Sequence, residues 1–203
     1  MMATPELGLL GPFGDPAMAE VFSHRARLRA YLEIEVALAR VQAGLGVIPD
    51  DAADAIEAAG RALQIDADRL LTETRLVGYP ILPLLDQLRE AGGPDVAAYA
   101  HWGATTQDIM DSGLALQMQR GLDRIESLLV ELGGGLGRLA EAERATVMAG
   151  RTHAQPAVPT TFGAKIAVWV AECARHVRRV RRARTDAAKI SLFGAGGTSA
   201  ALG

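Results

Sequence analysis

The sequence predicts an all-α protein built around a bundle of long helices, and three observations predict it. Alanine is abundant, aromatic residues make up only 4% of the 203 residues, and runs of β-branched residues are scarce, so intrinsic propensity favours helix almost everywhere. Met118, Leu122, Ile125, Leu129, Leu132, Leu136 and Leu139 recur at alternating steps of four and three, the spacing of a helix packed along one stripe. A second long periodic segment, 160–190, follows it.

Taken in order, Asp15 before Pro16 reads as an N-cap with proline at the first helical position. Leu28, Leu32, Val36, Ala39 and Ala43 give the stripe of a first helix running from there to Gly44 or Gly46. Short helices are expected at about 50–60, 66–75 and 80–91, punctuated by Gly60, by Gly78-Tyr79-Pro80 and by Gly92-Gly93-Pro94. Residues 1–104 thus read as an N-terminal helical subdomain, and 105–203 as the first, incomplete part of a central long-helix bundle. The heptad helix, unbroken from about Asp111 to about Ala145, would be roughly 50 Å long at 1.5 Å per residue. Gly133-Gly134-Gly135 cost about 1 kcal/mol each against alanine, and a hairpin folded there is the competing reading. The four-three phase persists from Leu132 to Leu136, which a turn has no reason to preserve. Two long helices cannot bury all their apolar surface, and the glycine-rich stretch Ile190–Gly203 offers no natural stop. The chain is therefore expected to be incomplete or dependent on partners.

Composition narrows the function classes. Hydrophobic residues at 49% and charged residues at 22% suit a soluble globular protein. The balance of 21 basic against 24 acidic side chains, a formal charge of -3, supplies no bulk field for nucleic acid or an anionic membrane. In the one basic cluster, Arg175–Arg184, Val177, Val180 and Ala183 recur every three residues with no interleaved aromatic, so a solvated face or subunit contact is expected, not a nucleic-acid site. The single cysteine, Cys173, cannot form an internal disulfide and fits a reducing compartment, so the cytoplasm is the expected location. Met1–Gly8 lacks a basic start leading into an apolar core, and no uncharged run approaches the ~20 residues of a membrane span. Neither export nor membrane insertion is expected.

The chemistry concentrates in two polar segments, His101-Trp-Gly-Ala-Thr-Thr-Gln-Asp108 and Gly150-Arg-Thr-His-Ala-Gln-Pro156, at opposite ends of the heptad helix. If both serve one site, another subunit must supply one of them. In the first, His101, the Thr105 and Thr106 hydroxyls and the Gln107 amide gather ahead of a helix, where free N–H donors and the dipole favour an anion such as a carboxylate. Capping by Thr105 or Thr106, with Asp108 in the first turn, accounts for the same residue types. In the second, Arg151, Thr152, His153 and Gln155 alternate with small residues. Histidine is the side-chain type that titrates nearest neutrality, so His153 is the general acid/base candidate, the alternative being a structural hydrogen-bonder in a loop. His24 and His176 sit on helix faces among arginines and read as solvated. Two histidines without cysteines or clustered carboxylates give no metal site, and no phosphate loop, dinucleotide fingerprint or Gly-x-Ser-x-Gly elbow is present.

Together the segments resemble the separated motifs of the fumarase/aspartase superfamily. His101–Asp111 resembles its first motif and Gly150–Gly163 its second. Phe13-Gly-Asp-Pro-Ala-Met18, Val77-Gly-Tyr-Pro-Ile-Leu-Pro83 and Phe193-Gly-Ala-Gly-Gly-Thr198 are similar to the 3-carboxy-cis,cis-muconate cycloisomerase branch. The adenylosuccinate lyase branch shares both motifs, but its pattern has an N-terminal Arg-Tyr pair and a Thr-x-His-Asp stretch. This chain has no such pair and reads Thr74-Arg-Leu-Val77 at the second place. The resemblance implies a fumarase/aspartase-like long-helix bundle, a homotetramer with sites shared between subunits, a small polycarboxylate substrate and no cofactor. It implies carboxylate binding by Thr105, Thr106 and Gln107 with help from Arg151, Thr152 and Gln155, an acid/base histidine at His153, and His101 as a second catalytic contributor. The implied reaction is lactonisation of 3-carboxymuconate in aromatic (protocatechuate) catabolism. An adenylosuccinate-lyase-like release of fumarate and a non-catalytic helical assembly module are the alternatives. The family's third motif, a mobile loop with a serine base, has no match in 1–203. It is expected beyond residue 203, leaving this chain inactive or nearly so by itself.

Overall fold

Seven helices and one β-hairpin make up the computed structural model, which describes residues 13–202. In chain order they are α1 (Pro16–Val21), α2 (His24–Gly44), α3 (Asp50–Ala62), α4 (Ala67–Val77), α5 (Ile81–Tyr99), α6 (Thr106–Ala142), β1 (Val147–Thr152), β2 (Gln155–Thr161) and α7 (Phe162–Ala187). Single 3-10 turns follow at Ala195–Gly197 and Ala200–Leu202. The chain divides into two compact units, Met1–Gln117 with Ala188–Gly203, and Met118–Ala187. Met1–Gly8, on which the expectation of no export signal rests, lies outside the described residues.

The predicted cap at Asp15 forms, its side chain accepting from the Met18 N–H. The first helix nevertheless does not run unbroken to Gly44. Ser23 caps a second start, its hydroxyl accepting from the Ala26 N–H, and the chain leaves helix at Phe22. The stripe of α2 is also turned from the expected phase: Leu28, Tyr31, Leu32, Glu35, Ala39 and Gln42 are buried, while Val36 and Ala43 are only partly so. α3 lies against α2 and α5, and Ile56, Leu70, Ile81, Leu84, Leu88 and Val96 fill the space between the short helices. The expected stop at Gly92-Gly93-Pro94 is real, because Gly93 has φ 79 and ψ -162 and divides α5 into two helical pieces.

α6 is one continuous helix of 37 residues, about 55 Å at 1.5 Å per residue, so no hairpin forms at Gly133–Gly135. It starts earlier than Asp111, at Thr106, and ends at Ala142. Within the second unit its heptad stripe is only partly covered: Met118 is 42% exposed, Ile125 38%, Leu132 53% and Leu139 39%, while Leu122, Leu129 and Leu136 are half-buried. α7 adds Val168 and Trp169 to the exposed apolar surface. The basic cluster on α7 meets acids of α6, with Arg181 donating to Glu126 at 2.8 Å and Arg184 2.7 Å from Asp123. At Gly163 α7 meets the end of α6 backbone to backbone: a Cβ there would lie 2.4 Å from the Ala140 carbonyl oxygen. No helix among the described residues is long and apolar enough to cross a membrane.

The segment between α6 and α7 departs from the expected loop. Val147–Thr152 and Gln155–Thr161 pair antiparallel, with a register shift between Gly150 and Arg151. Pro156 and Pro159 are tolerated because this two-stranded ribbon has only edges.

Candidate active site

The first polar segment is held in an unusual backbone path by contacts from distant elements. His101 adopts φ 69 and Gly103 φ 71, both left-handed. For histidine that conformation persists only where the surroundings enforce it. Two α2 side chains do so. The His101 Nδ1 lies 2.7 Å from Glu35 Oε1, and Gln42 Nε2 donates to the Trp102 carbonyl at 2.7 Å. Gly103 suits its left-handed φ, and a Cβ there would sit 2.4 Å from the end of the Leu202 side chain, which would have to move.

Asp108 closes the segment from the other side. Its side chain accepts from the Thr105 N–H at 3.0 Å, reaching back across the first turn as in one half of a capping box. It also accepts from the Phe193 N–H at 3.0 Å, the Gly194 N–H at 2.9 Å and the Ser191 hydroxyl at 3.3 Å. One turn further along α6, the Ser112 hydroxyl donates to the Ser191 carbonyl and accepts from the Ser191 N–H. Burial pushes the Asp108 carboxyl up, but the N–H groups of Phe193, Thr105 and Gly194 and the Ser191 hydroxyl outweigh it and hold it below its ordinary range. Thr105 and Thr106 are half-buried at the start of α6, and Gln107 is exposed with its amide donating to Asp111 at 2.7 Å. His101, Thr105, Thr106 and Gln107 therefore share one rigid, hydrogen-bonded turn ahead of a long helix. Such a turn offers hydroxyls, an amide and the positive end of the helix dipole to a carboxylate.

The second polar segment belongs to the second unit. Arg151, Thr152, His153 and Gln155 are all exposed on the hairpin. Thr152 pairs with Gln155, and the two-residue turn between them has φ 45 at His153 and φ 65 at Ala154. Positive φ at both positions is the geometry of a type I′ turn, ordinarily supplied by Asn-Gly. The imidazole is thus carried at the tip of the hairpin, and Ala154 bears strain that glycine would not. Ala154→Gly is expected to stabilise the protein by about 1 kcal/mol in urea unfolding, by relieving left-handed strain at a residue with a Cβ.

The predicted site residues thus form two groups, one in each compact unit. None lines the cavity of about 580 Å³ that Gly137, Ala140, Arg144 and Ala167 help to bound, the one of about 400 Å³ on the hairpin strands, or the one of about 350 Å³ bounded by Arg29, Glu33, Glu57 and Arg61. Sequence reasoning missed Glu35, Gln42 and the long-range role of Asp108. The first two are polar residues on the face that α2 buries, but the stripe read from the sequence runs through Val36 and Ala43 beside them, so nothing singled them out. Among the described residues no cluster of His, Cys, Asp and Glu could hold a metal ion.

A family model described as "Lyase" matches residues 12–203. The chain is 40% identical over 194 residues to 3-carboxy-cis,cis-muconate cycloisomerase from Pseudomonas putida, covering 94% of this chain and 46% of that protein. It is 39% identical over 191 residues to trans-aconitate decarboxylase 1 from Mycosarcoma maydis, covering 94% and 39%. The crystal structure of a fumarate lyase from Mesorhizobium sp. BNC1 superimposes with a TM-score of 0.89 at 46% identity, over 94% of this chain and 45% of that one. Adenylosuccinate lyases are also among its relatives. The chain spans less than half the length of each of these proteins. With a family match along residues 12–203 and a TM-score of 0.89 to a fumarate lyase, the chain belongs to the Lyase family of the fumarase/aspartase superfamily.

Proposed function

We propose that this chain supplies two of the polar segments of a 3-carboxy-cis,cis-muconate cycloisomerase-like site in protocatechuate catabolism. The observation that carries the reading is the hydrogen-bonded turn His101–Gln107 at the N-terminus of α6, whose hydroxyls and amide suit a carboxylate. The 40% identity to the Pseudomonas putida cycloisomerase supports it.

In that reaction a substrate carboxylate oxygen bonds to a carbon of the molecule's own double bond. The π electrons move to the carbon beside a second carboxylate, which becomes a doubly charged aci-carboxylate, and that carbon takes one proton. Thr105, Thr106 and Gln107 bind one carboxylate. Arg151, Thr152 and Gln155 place donors and positive charge where the aci-carboxylate develops. His153, at the hairpin tip, exchanges the proton. His101 contributes a second imidazole. No cofactor is required.

The two segments belong to different compact units, and in the proposed assembly neighbouring copies complete each site. The partly exposed heptad stripe of α6 and the apolar face of α7 give that association its driving force, and a homotetramer is the proposed state. Residues 1–104 are assigned to an N-terminal subdomain and 105–203 to the start of the bundle, in a cytoplasmic enzyme.

The test joins residues 13–203 to the part of the Pseudomonas putida cycloisomerase that follows its matched segment. Ultraviolet absorbance then follows 3-carboxy-cis,cis-muconate and, separately, adenylosuccinate. Loss of the muconate with no fumarate release is expected. Turnover of adenylosuccinate alone favours the lyase reading, and turnover of neither favours a non-catalytic assembly module. The 203-residue chain by itself is expected to be inactive or nearly so, and lactonisation by it with no longer partner present would overturn that expectation.

A further inference from the structure

Glu35 is buried at a position where α2 otherwise presents apolar residues. Its side chain is 1% exposed, and its one protein hydrogen bond among the described residues is to His101, sixty-six residues away in sequence, at 2.7 Å. Its second oxygen is buried without a donor among the described residues, and so is the Oε1 of Gln42, one heptad further along the same face. A buried polar group left half-satisfied is costly, and leucine at either place would pack without that cost. Polar residues that break a core pattern without any gain in packing mark functional positions. Here both act on one target: Gln42 holds the Trp102 carbonyl, Glu35 holds the ring of His101, and the residue they secure has φ 69.

A carboxylate at Nδ1 accepts a hydrogen bond and donates none. It therefore keeps a proton on Nδ1 whatever the charge of the ring, and leaves Nε2 as the nitrogen that gains or loses one. We propose that Glu35 is a positioning residue that locks His101 in its Nδ1–H tautomer and so presents Nε2 to the carboxylate substrate. The proposal deepens the reading of the 101–107 turn as a substrate site and rests on it. A loop clamp alone requires only that some hydrogen bond reach the ring; it does not require one tautomer.

The 203-residue chain carries four histidines, few enough for imidazole nitrogen NMR on protein labelled with 15N-histidine. The His101 signals are assigned by their loss in His101→Gln. Above the pH at which the ring ionises, a single Nδ1–H tautomer is expected; Nε2–H, or an average of the two, overturns the proposal. In Glu35→Leu, with helicity checked by circular dichroism, the ring is expected to revert to mainly Nε2–H, and persistence of Nδ1–H overturns it. If that variant does not fold, Glu35→Gln replaces it: the amide offers either its oxygen or its NH2 group to Nδ1, so mixed tautomers are expected, and an unmixed Nδ1–H population overturns the proposal. In the chimera with the Pseudomonas putida segment, Glu35→Leu is expected to lower kcat roughly 100-fold with little change in KM. A raised KM with unchanged kcat contradicts the positioning role. A chimera inactive on both substrates counts against the proposed function, while the NMR result still decides the tautomer.

Discussion

Asp108→Asn is expected to cost about 3 kcal/mol of stability in urea unfolding of the 203-residue chain. The carboxylate receives four donors, two at each oxygen: Phe193 N–H and Ser191 hydroxyl at one, Gly194 N–H and Thr105 N–H at the other. Asparagine replaces one oxygen by an NH2 group. In its better orientation that group faces Phe193, where the Ser191 hydroxyl can turn to accept but the backbone N–H cannot. One buried N–H then meets a donor, and the remaining bonds lose their charge assistance. The segment Ser191–Gly194 is expected to become the first site of proteolytic cleavage. The effect has a defined pH dependence. The folded carboxyl lies below its ordinary range, so its stabilisation is fully present above the ordinary carboxylate pKa and disappears as pH falls through the lowered folded value. The gap between wild type and Asp108→Asn should therefore close on acidification from neutral pH. A gap that is absent at neutral pH, or constant throughout, contradicts this role.

His153→Asn separates chemistry from folding at the hairpin. Asparagine adopts the left-handed region readily, so the turn at φ 45 survives and stability is expected to change by less than about 0.5 kcal/mol. The imidazole is lost. In the chimera that carries the proposed activity, kcat is expected to fall about 10²- to 10⁴-fold, the range for removing a general acid/base. Full activity in His153→Asn would assign the proton exchange to another group. A large loss of stability would instead make His153 a structural residue.

The parts of the fold that were legible in the sequence are those set by local periodicity. α6 keeps its four-three phase across three consecutive glycines, and the helix is continuous there. Asp15-Pro16 and Gly93-Pro94 act as start and stop because their effect is confined to one turn. The break between α1 and α2 was hidden because Ser23 lies inside an otherwise helical run, and its capping hydroxyl only then competes with continuation. The hairpin was hidden for two reasons. Its second strand contains Pro156 and Pro159, which argue against a strand, and its turn reads His153-Ala154 in place of Asn-Gly. The residues bearing the motifs were legible as chemical types, since hydroxyls, an amide and histidines ahead of a helix suggest an anion seat without any structure. What holds them was not. Glu35 and Gln42 lie 66 and 60 residues from their partners, and Asp108 lies 85 from Phe193, distances over which only the tertiary fold sets contacts.

Sharing of one site between copies is tested most directly by complementation. Two variants of the chimera are made, one with Thr105→Val, Thr106→Val and Gln107→Leu, the other with Arg151→Ala and His153→Asn. Each should be inactive when expressed alone. Co-expressed, they form mixed assemblies in which some sites receive an intact first segment from one copy and an intact second segment from another. Lactonisation of 3-carboxy-cis,cis-muconate that returns on co-expression, and not in either parent, is the predicted result. Mixed assemblies that form but stay inactive would contradict it.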